Sequence, residues 1–143
     1  MKRIIGNIGS LALPNGKYAF GRVLRSSNLE FYNYFGNDIS DLPVDYNVLF
    51  TVCAHVSVFS SMRLVGKRAF LSEDETWPPP KYIYDVIGKT YDLYVRGKII
   101  QSTYEECKGL ERASVWELHH IVDRIMETHL YPSLVLDHDL SKD

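Results

Sequence analysis

The chain has little cysteine, no long apolar run and no strong excess of charge of either sign. Its 143 residues include two cysteines, Cys53 and Cys107. Secreted domains that depend on disulfides usually carry more, so we predict reduced thiols and a reducing compartment. No stretch approaches the roughly 20 apolar residues that cross a bilayer, and the first 13 residues lack the apolar core and cleavage site of a signal peptide. We therefore expect a soluble, cytoplasmic protein without a membrane partner.

Motifs for catalysis or cofactor binding are also missing. The sequence has no Gly-x-x-x-x-Gly-Lys loop, no Cys-x-x-Cys pair and no Gly-x-Ser-x-Gly elbow. His119 and Asp123 share a predicted helical face but lack a third ligand. Glu105, Glu106 and Glu111 adjoin predicted helix starts, where the helix dipole favours carboxylates. We predict no metal, no cofactor and no enzymatic activity, and a hydrolase using Glu106, Glu111 or His119 is a minor alternative.

Charge is segregated along the chain. The formal net charge is −2, which argues against a nucleic-acid partner. Residues 1–25 contain five basic side chains and no acid, whereas residues 26–62 contain four acids and no Lys or Arg. Such blocks either steer a charged partner or pair with each other in the fold.

Alternating apolar residues predict a mostly β protein. Strands at 8–13 and 17–25 flank Pro14-Asn15-Gly16, a turn signal, and form a predicted hairpin. Gly21 in the second strand predicts a bend, a bulge or a close backbone approach. Further strands are predicted at 29–35, 48–59, 64–71, 82–84, 90–95 and 98–101.

The C-terminal third predicts helices. Ser102 or Thr103, with Glu105 and Glu106, resembles a capping box for a short helix, which Gly109 ends. Ser114 to Glu117 forms a second capping box before apolar residues at helical spacing, and Tyr131-Pro132 ends that helix. The predicted class is α+β: a strongly curved antiparallel sheet or small β-barrel with one main C-terminal helix. We expect a single domain over 1–143, with a core at about 4–131 and an acidic tail at 132–143.

Three segments resemble one known family. They are Leu-Ala-Leu-Pro-Asn-Gly-Lys-Tyr-Ala-Phe-Gly-Arg-Val-Leu at 11–24, Trp-Pro-Pro-Pro-Lys-Tyr at 77–82, and Glu-Glu-Cys-Lys-Gly-Leu-Glu-Arg-Ala-Ser-Val-Trp at 105–116. The chain resembles the immunity protein 26 family of bacterial polymorphic toxin systems from about residue 9 to 124. The resemblance implies a cytoplasmic antidote that binds a cognate toxin domain without catalysis. One departure is Gly9-Ser10, where that family has Gly-Asp.

Aromatic side chains are abundant, with ten Tyr, six Phe and two Trp. Tyrosine and tryptophan suit protein interfaces because they combine rigid apolar area with one polar group. The predicted partner-binding residues are Tyr32, Tyr34, Glu73, Asp74, Glu75 and Trp77. Tyr18, Arg22, Glu111, Arg112 and Trp116 lie in the family-like motifs, in either a scaffold or a contact role.

Two alternatives stay open at this point. Trp77 either anchors a partner or folds back as a lid on the core. The protein could also be a small β-barrel that binds nucleic acid or a small ligand. In that reading Tyr18, Phe20, Tyr32 and Tyr34 stack on bases while Arg22 and Arg25 hold phosphates. The sequence does not specify an oligomeric state.

Overall fold

The structure is a computed structural model that describes residues 1–130, with side chains through Thr128. The predicted helix stop at Tyr131-Pro132 and the acidic tail at 132–143 lie outside the described residues. The strands are β1 (Asn7–Ala12), β2 (Tyr18–Leu24), β3 (Asn28–Gly36), β4 (Val48–Ala54), β5 (Arg63–Lys67), β6 (Lys81–Asp85), β7 (Thr90–Val95), β8 (Lys98–Ser102) and β9 (Val115–Trp116). The α-helices are α1 (Val56–Ser60), α2 (Tyr104–Cys107) and α3 (Leu118–Leu130), and a short 3₁₀ helix spans Asp74–Thr76.

The residues divide into two compact units. The first contains Met1–Pro78 and Val115–Met126, and the second contains Pro79–Ser114 and, among the described residues, those from Glu127. The class is α+β, mostly strands with a C-terminal helix, as predicted. The described strands form one six-stranded and one three-stranded sheet, and neither closes into a barrel. The barrel is therefore not confirmed, and a single domain over 1–143 stays a prediction.

The first unit is built on a sheet of order β5-β1-β2-β3-β4-β9, antiparallel except for the β4–β9 pair. The predicted β1–β2 hairpin is confirmed, because Gly16 takes a φ of 81° and its amide donates to the Leu13 carbonyl at 3.1 Å. Gly21 sits where the β2–β3 register shifts, and a Cβ there would lie 3.2 Å from the Phe31 ring. Glycine is therefore required by both a bulge and a close approach.

Two predicted boundaries were wrong. The strand predicted at 48–59 ends at Ala54, because His55 accepts the Ser57 amide through its ring nitrogen and caps α1. Val56 and Val58 continue the strand-like alternation inside that helix, where Val58 is buried and Val56 is exposed. The helix predicted to start at Ser114 begins only at Leu118.

Local pairing explains the later helix start. Val115 and Trp116 extend the sheet as β9, and the His55 amide donates to the Trp116 carbonyl at 2.9 Å. The strand predicted at 64–71 is the shorter β5, which ends at Lys67.

Each face of the large sheet covers its own apolar cluster. On one face the strands pack against α1 and α3, through side chains that include Val23, Val58 and Ile121. On the other face Ile8, Phe20 and Tyr32 are buried together. The alternation of β2 predicted this division, since Ala19 and Val23 join the first cluster and Tyr18 and Phe20 the second.

The second unit contains an antiparallel sheet of order β6-β7-β8, as the three predicted strands required. Thr103 caps α2 by accepting the Glu106 amide at 3.3 Å, which confirms the first capping box. Cys107 and Tyr82 form the buried centre of this unit. Among the described helices, none has both the length and the apolar character needed to cross a membrane.

Candidate protein-binding surface

A buried arginine organises one face of the large sheet. Arg22 on β2 is 1% exposed. Its Nε donates to Glu30 at 3.0 Å, its Nη2 donates to Glu75 at 2.7 Å, and its guanidinium lies 4.2 Å from the centre of the Phe70 ring. A buried cation with two carboxylates and an aromatic face is fully compensated, so it can remain charged inside the fold.

Arg68 extends this group of charges. Its Nη2 lies 3.8 Å from Glu75, its Nη1 donates to the Tyr32 hydroxyl at 3.4 Å, and its guanidinium stacks 4.1 Å from the Tyr46 ring centre. We name Arg22, Glu30, Arg68 and Glu75 the ionic cluster. Hydrogen bonds from Arg22 and from the Leu71 amide hold the pKa of Glu75 below its ordinary value. Burial raises the pKa of Tyr32, and the Arg68 hydrogen bond partly opposes that rise.

The ionic cluster holds a surface loop, residues 71–77, which we call the acidic loop. Inside it, the Leu71 amide donates to Glu75 at 2.6 Å. Arg25 holds the other end: its amide donates to the Thr76 carbonyl at 2.9 Å and its Nε to the Thr76 hydroxyl at 2.8 Å. Its Nη2 reaches Glu73 at 2.6 Å. Glu73, Glu75 and Thr76 are therefore attached to β2 or to the residue that follows it, and Leu71 is attached through Glu75.

The exposed side chains of the acidic loop include both apolar and charged groups. Leu71 is 92% exposed, and the side chain of Glu73 is 72% exposed. Asp74 is exposed as well, whereas Glu75 and Trp77 are only partly so. Trp77 is partly buried, and the Arg25 guanidinium lies 5.2 Å from the centre of its ring. The loop thus presents one large apolar side chain beside two carboxylates.

The predicted contact tyrosines lie elsewhere. Tyr32 is 1% exposed and packs edge-on against Tyr46, with ring centres 4.9 Å apart, so a partner cannot reach it in this conformation. Tyr34 is half-buried and donates its hydroxyl to Asp41 at 2.8 Å. The hydrogen bond from the Asn37 amide, together with that from Tyr34, lowers the pKa of Asp41. Both tyrosines stabilise the sheet and its loops.

Most side chains of the nucleic-acid alternative are buried or paired with other side chains of the fold. Phe20 is fully buried, Tyr32 nearly so, and Tyr18 packs with them. Arg22 is engaged by two carboxylates and Arg25 by Glu73. In this conformation a base cannot stack on Phe20 or Tyr32, and a phosphate cannot reach the buried Arg22. The geometry does not favour that alternative.

The remaining family-like residues hold the backbone together. Glu111 lies 3.8 Å from Lys81, and its carbonyl accepts the Tyr82 amide. Arg112, which is exposed, pairs with Tyr82 in an isolated parallel bridge. Trp116 is half-buried, with the Arg124 guanidinium 5.0 Å from its ring centre. A scaffold role or a contact role for each of these residues stays a prediction.

His119, His120 and Asp123 are exposed on α3. Within the described part of the chain, no three His, Cys, Asp or Glu side chains group as metal ligands would.

Sequence reasoning missed Arg25, Arg68 and Phe70 as parts of this surface. Arg68 and Phe70 stand just before the acidic stretch 73–75, and that proximity of opposite charges was the available signal. Comparisons with family models, curated proteins and solved structures give no match.

Proposed function

We propose that this protein is a non-catalytic, cytoplasmic immunity protein that binds and neutralises a cognate bacterial toxin domain through the acidic loop. The motifs at 11–24, 77–82 and 105–116 resemble that family, and the acidic loop suits a basic target surface. We also propose that the large sheet is strongly curved, because register shifts such as those at Gly9 and Gly21 bend and twist strands.

One observation supports this proposal most strongly: Glu73, Glu75 and Thr76 of the acidic loop bond to Arg22 and Arg25 within the fold. Arg22 and Arg25 bind Glu75 and Glu73, so the loop loses little conformational freedom on association. Ordering a flexible side chain at an interface costs about 0.5–1.5 kcal/mol, and a pre-ordered loop avoids much of that cost. Leu71 then serves as the apolar anchor, and Glu73 and Asp74 as its charged surroundings.

Electrostatics define the expected partner. Carboxylates around an apolar anchor fit a basic surface with a small apolar recess, and opposite charges accelerate association at low ionic strength. An antidote must bind almost all of its toxin. We therefore expect nanomolar or tighter affinity, about −12 kcal/mol or more favourable.

The test is binding to the toxic C-terminal domain encoded beside this protein. We expect the two proteins to co-purify as a one-to-one complex, and calorimetry should give its affinity and stoichiometry. Leu71→Asp and Asp74→Arg should each weaken binding at least tenfold. The matched controls are Val44→Asp, at an equally exposed apolar position, and Asp45→Arg, at another exposed acid; both should bind like the wild type.

Two outcomes would overturn the proposal. Absence of measurable binding to that domain would remove the immunity function. Binding that Leu71→Asp and Asp74→Arg leave unchanged would remove the acidic loop as the contact surface.

A further inference from the structure

The outer edge of β8 is open in the described part of the chain. β7 pairs with one side of β8, and no strand within residues 1–130 pairs with the other. Ile99 is 65% exposed and Ile100 is 50% exposed, on opposite faces of this edge. Edge strands are usually protected by proline, by bulges or by several charges, and β8 has only Lys98. Such an edge can accept another strand.

The turn before β8 determines which backbone groups point outward. Arg96 and Gly97 have φ values of 50° and 78°, the signs of a two-residue type I′ hairpin closed by the Val95–Lys98 pair. Hydrogen-bonded and non-hydrogen-bonded pairs alternate along an antiparallel ladder. Lys98, Ile100 and Ser102 therefore bond to β7, and the N–H and C=O groups of Ile99 and Gln101 face away from it.

Aromatic rings flank the edge on the side of Ile100. Ile100 lies directly opposite Leu93 on β7. Next along that face, the Tyr91 ring lies 4.7 Å from Tyr84 and 5.7 Å from Tyr104, centre to centre. Tyrosines at such positions add contact area with little loss of conformational entropy.

We propose that a second copy of this chain pairs with β8 in antiparallel fashion about a two-fold axis at Ile100. In this register Ile99 faces Gln101 of the second copy and Ile100 faces its own counterpart. All four outward-facing residues of the two strands then exchange hydrogen bonds. A register shifted by two residues, with the two-fold axis at Ile99, would place Ile100 opposite Lys98 and Gln101 opposite Gly97 in the turn.

Charge complementarity favours a second copy as the occupant. Lys98 begins β8, and Glu105 and Glu106 follow its end at the start of α2. Antiparallel pairing reverses this order, so Lys98 faces Ser102 of the second copy and approaches the two glutamates behind it. The same attraction occurs twice by symmetry, and no like charges stand opposite each other within the paired strands.

A register-specific cross-link tests the proposal in the full-length chain carrying Cys53→Ser, since Cys107 is fully buried. Residues in a non-hydrogen-bonded pair have side chains close enough for a disulfide. With oxidised glutathione, Ile100→Cys should form a covalent dimer, and Ile99→Cys, placed on the opposite face, should stay monomeric. Sedimentation should show a concentration-dependent dimer of the uncross-linked protein.

Further variants test the interface without a new thiol. Ile100→Asp brings two carboxylates together at the axis and should raise the dimer dissociation constant at least tenfold. Leu71→Asp, in the other unit, should leave it unchanged. A wild-type monomer at all concentrations, cross-linking of Ile99→Cys as fast as Ile100→Cys, or a dimer indifferent to Ile100→Asp would each overturn the proposal. Because the toxin-binding test uses the acidic loop, the two proposals can fail separately.

Discussion

Replacing Arg22 with methionine tests whether the ionic cluster stabilises the first unit. The change keeps an unbranched chain of similar length but removes the guanidinium. Two charge-assisted hydrogen bonds are lost, each worth about 1.5–3 kcal/mol. Glu30 and Glu75 are then left without their main cation, although their side chains keep 13% and 24% exposure and can regain some water.

Partial exposure sets the expected magnitude. Removing one partner of a fully buried pair costs about 3–5 kcal/mol. Because both carboxylates still reach solvent, we expect the low end, a loss of about 3 kcal/mol for Arg22→Met. With a urea m-value of about 2 kcal/mol/M, the unfolding midpoint should fall by roughly 1.5 M. Arg22→Lys should recover less than half of the loss, since an ammonium cannot match the fork of a guanidinium.

Urea unfolding followed by circular dichroism measures this loss, with Arg63→Met as control. Arg63 is exposed on β5, so its replacement should change stability by no more than about 0.5 kcal/mol. Hydrogen exchange adds a local readout, because the Leu71 amide bonded to Glu75 should exchange faster in Arg22→Met. The reasoning is refuted if Arg22→Met matches the control, or if it stabilises the protein because desolvation outweighs pairing.

Three further predictions concern pH, a turn and the core. The lowered pKa values of Glu75 and Asp41 mean that their stabilising contribution is complete above about pH 5 and is lost as the pH falls further. The urea midpoint should therefore drop between about pH 7 and 3.5, and the drop should be smaller in Glu75→Gln. Lys89→Gly should stabilise the protein by about 1 kcal/mol and so raise its melting temperature, because Lys89 has a φ of 54°. The control Lys98→Gly, within β8, should lower the melting temperature. Ile121→Ala should cost about 2–5 kcal/mol in urea unfolding because Ile121 is fully buried, and exposed His120→Ala should cost little.

Local signals in the sequence were sufficient for most strands. Asn15-Gly16 places one hairpin turn, and alternation places the strands on either side of it. The same alternation misled at Val56 and Val58, because a capped helix of one to two turns can contain two valines two residues apart. What ended the strand was the His55 cap, and histidine is an uncommon capping residue.

Only some of the ion pairs on this surface could be predicted from the sequence. Segregation of basic and acidic residues suggested that the blocks pair, and Arg22 with Glu30 does so across adjacent strands. The acids at 73–75 were expected to face a partner. Glu75 instead binds Arg22 from 53 residues away, and only the folded chain brings those two side chains together.

Under the proposed function, exposure distinguishes scaffold residues from contact residues. Arg22 belongs to the first family-like motif, yet it is inaccessible, and its hydrogen bond to Glu75 attaches the acidic loop to β2. A chain with the same fold could therefore keep this arginine while changing Leu71 or Asp74 to suit another partner. Because the loop is attached through Glu73, Glu75 and Thr76, exchanging Leu71 or Asp74 would alter the contact chemistry and keep those attachments. Specificity would then reside in the loop and stability in the ionic cluster.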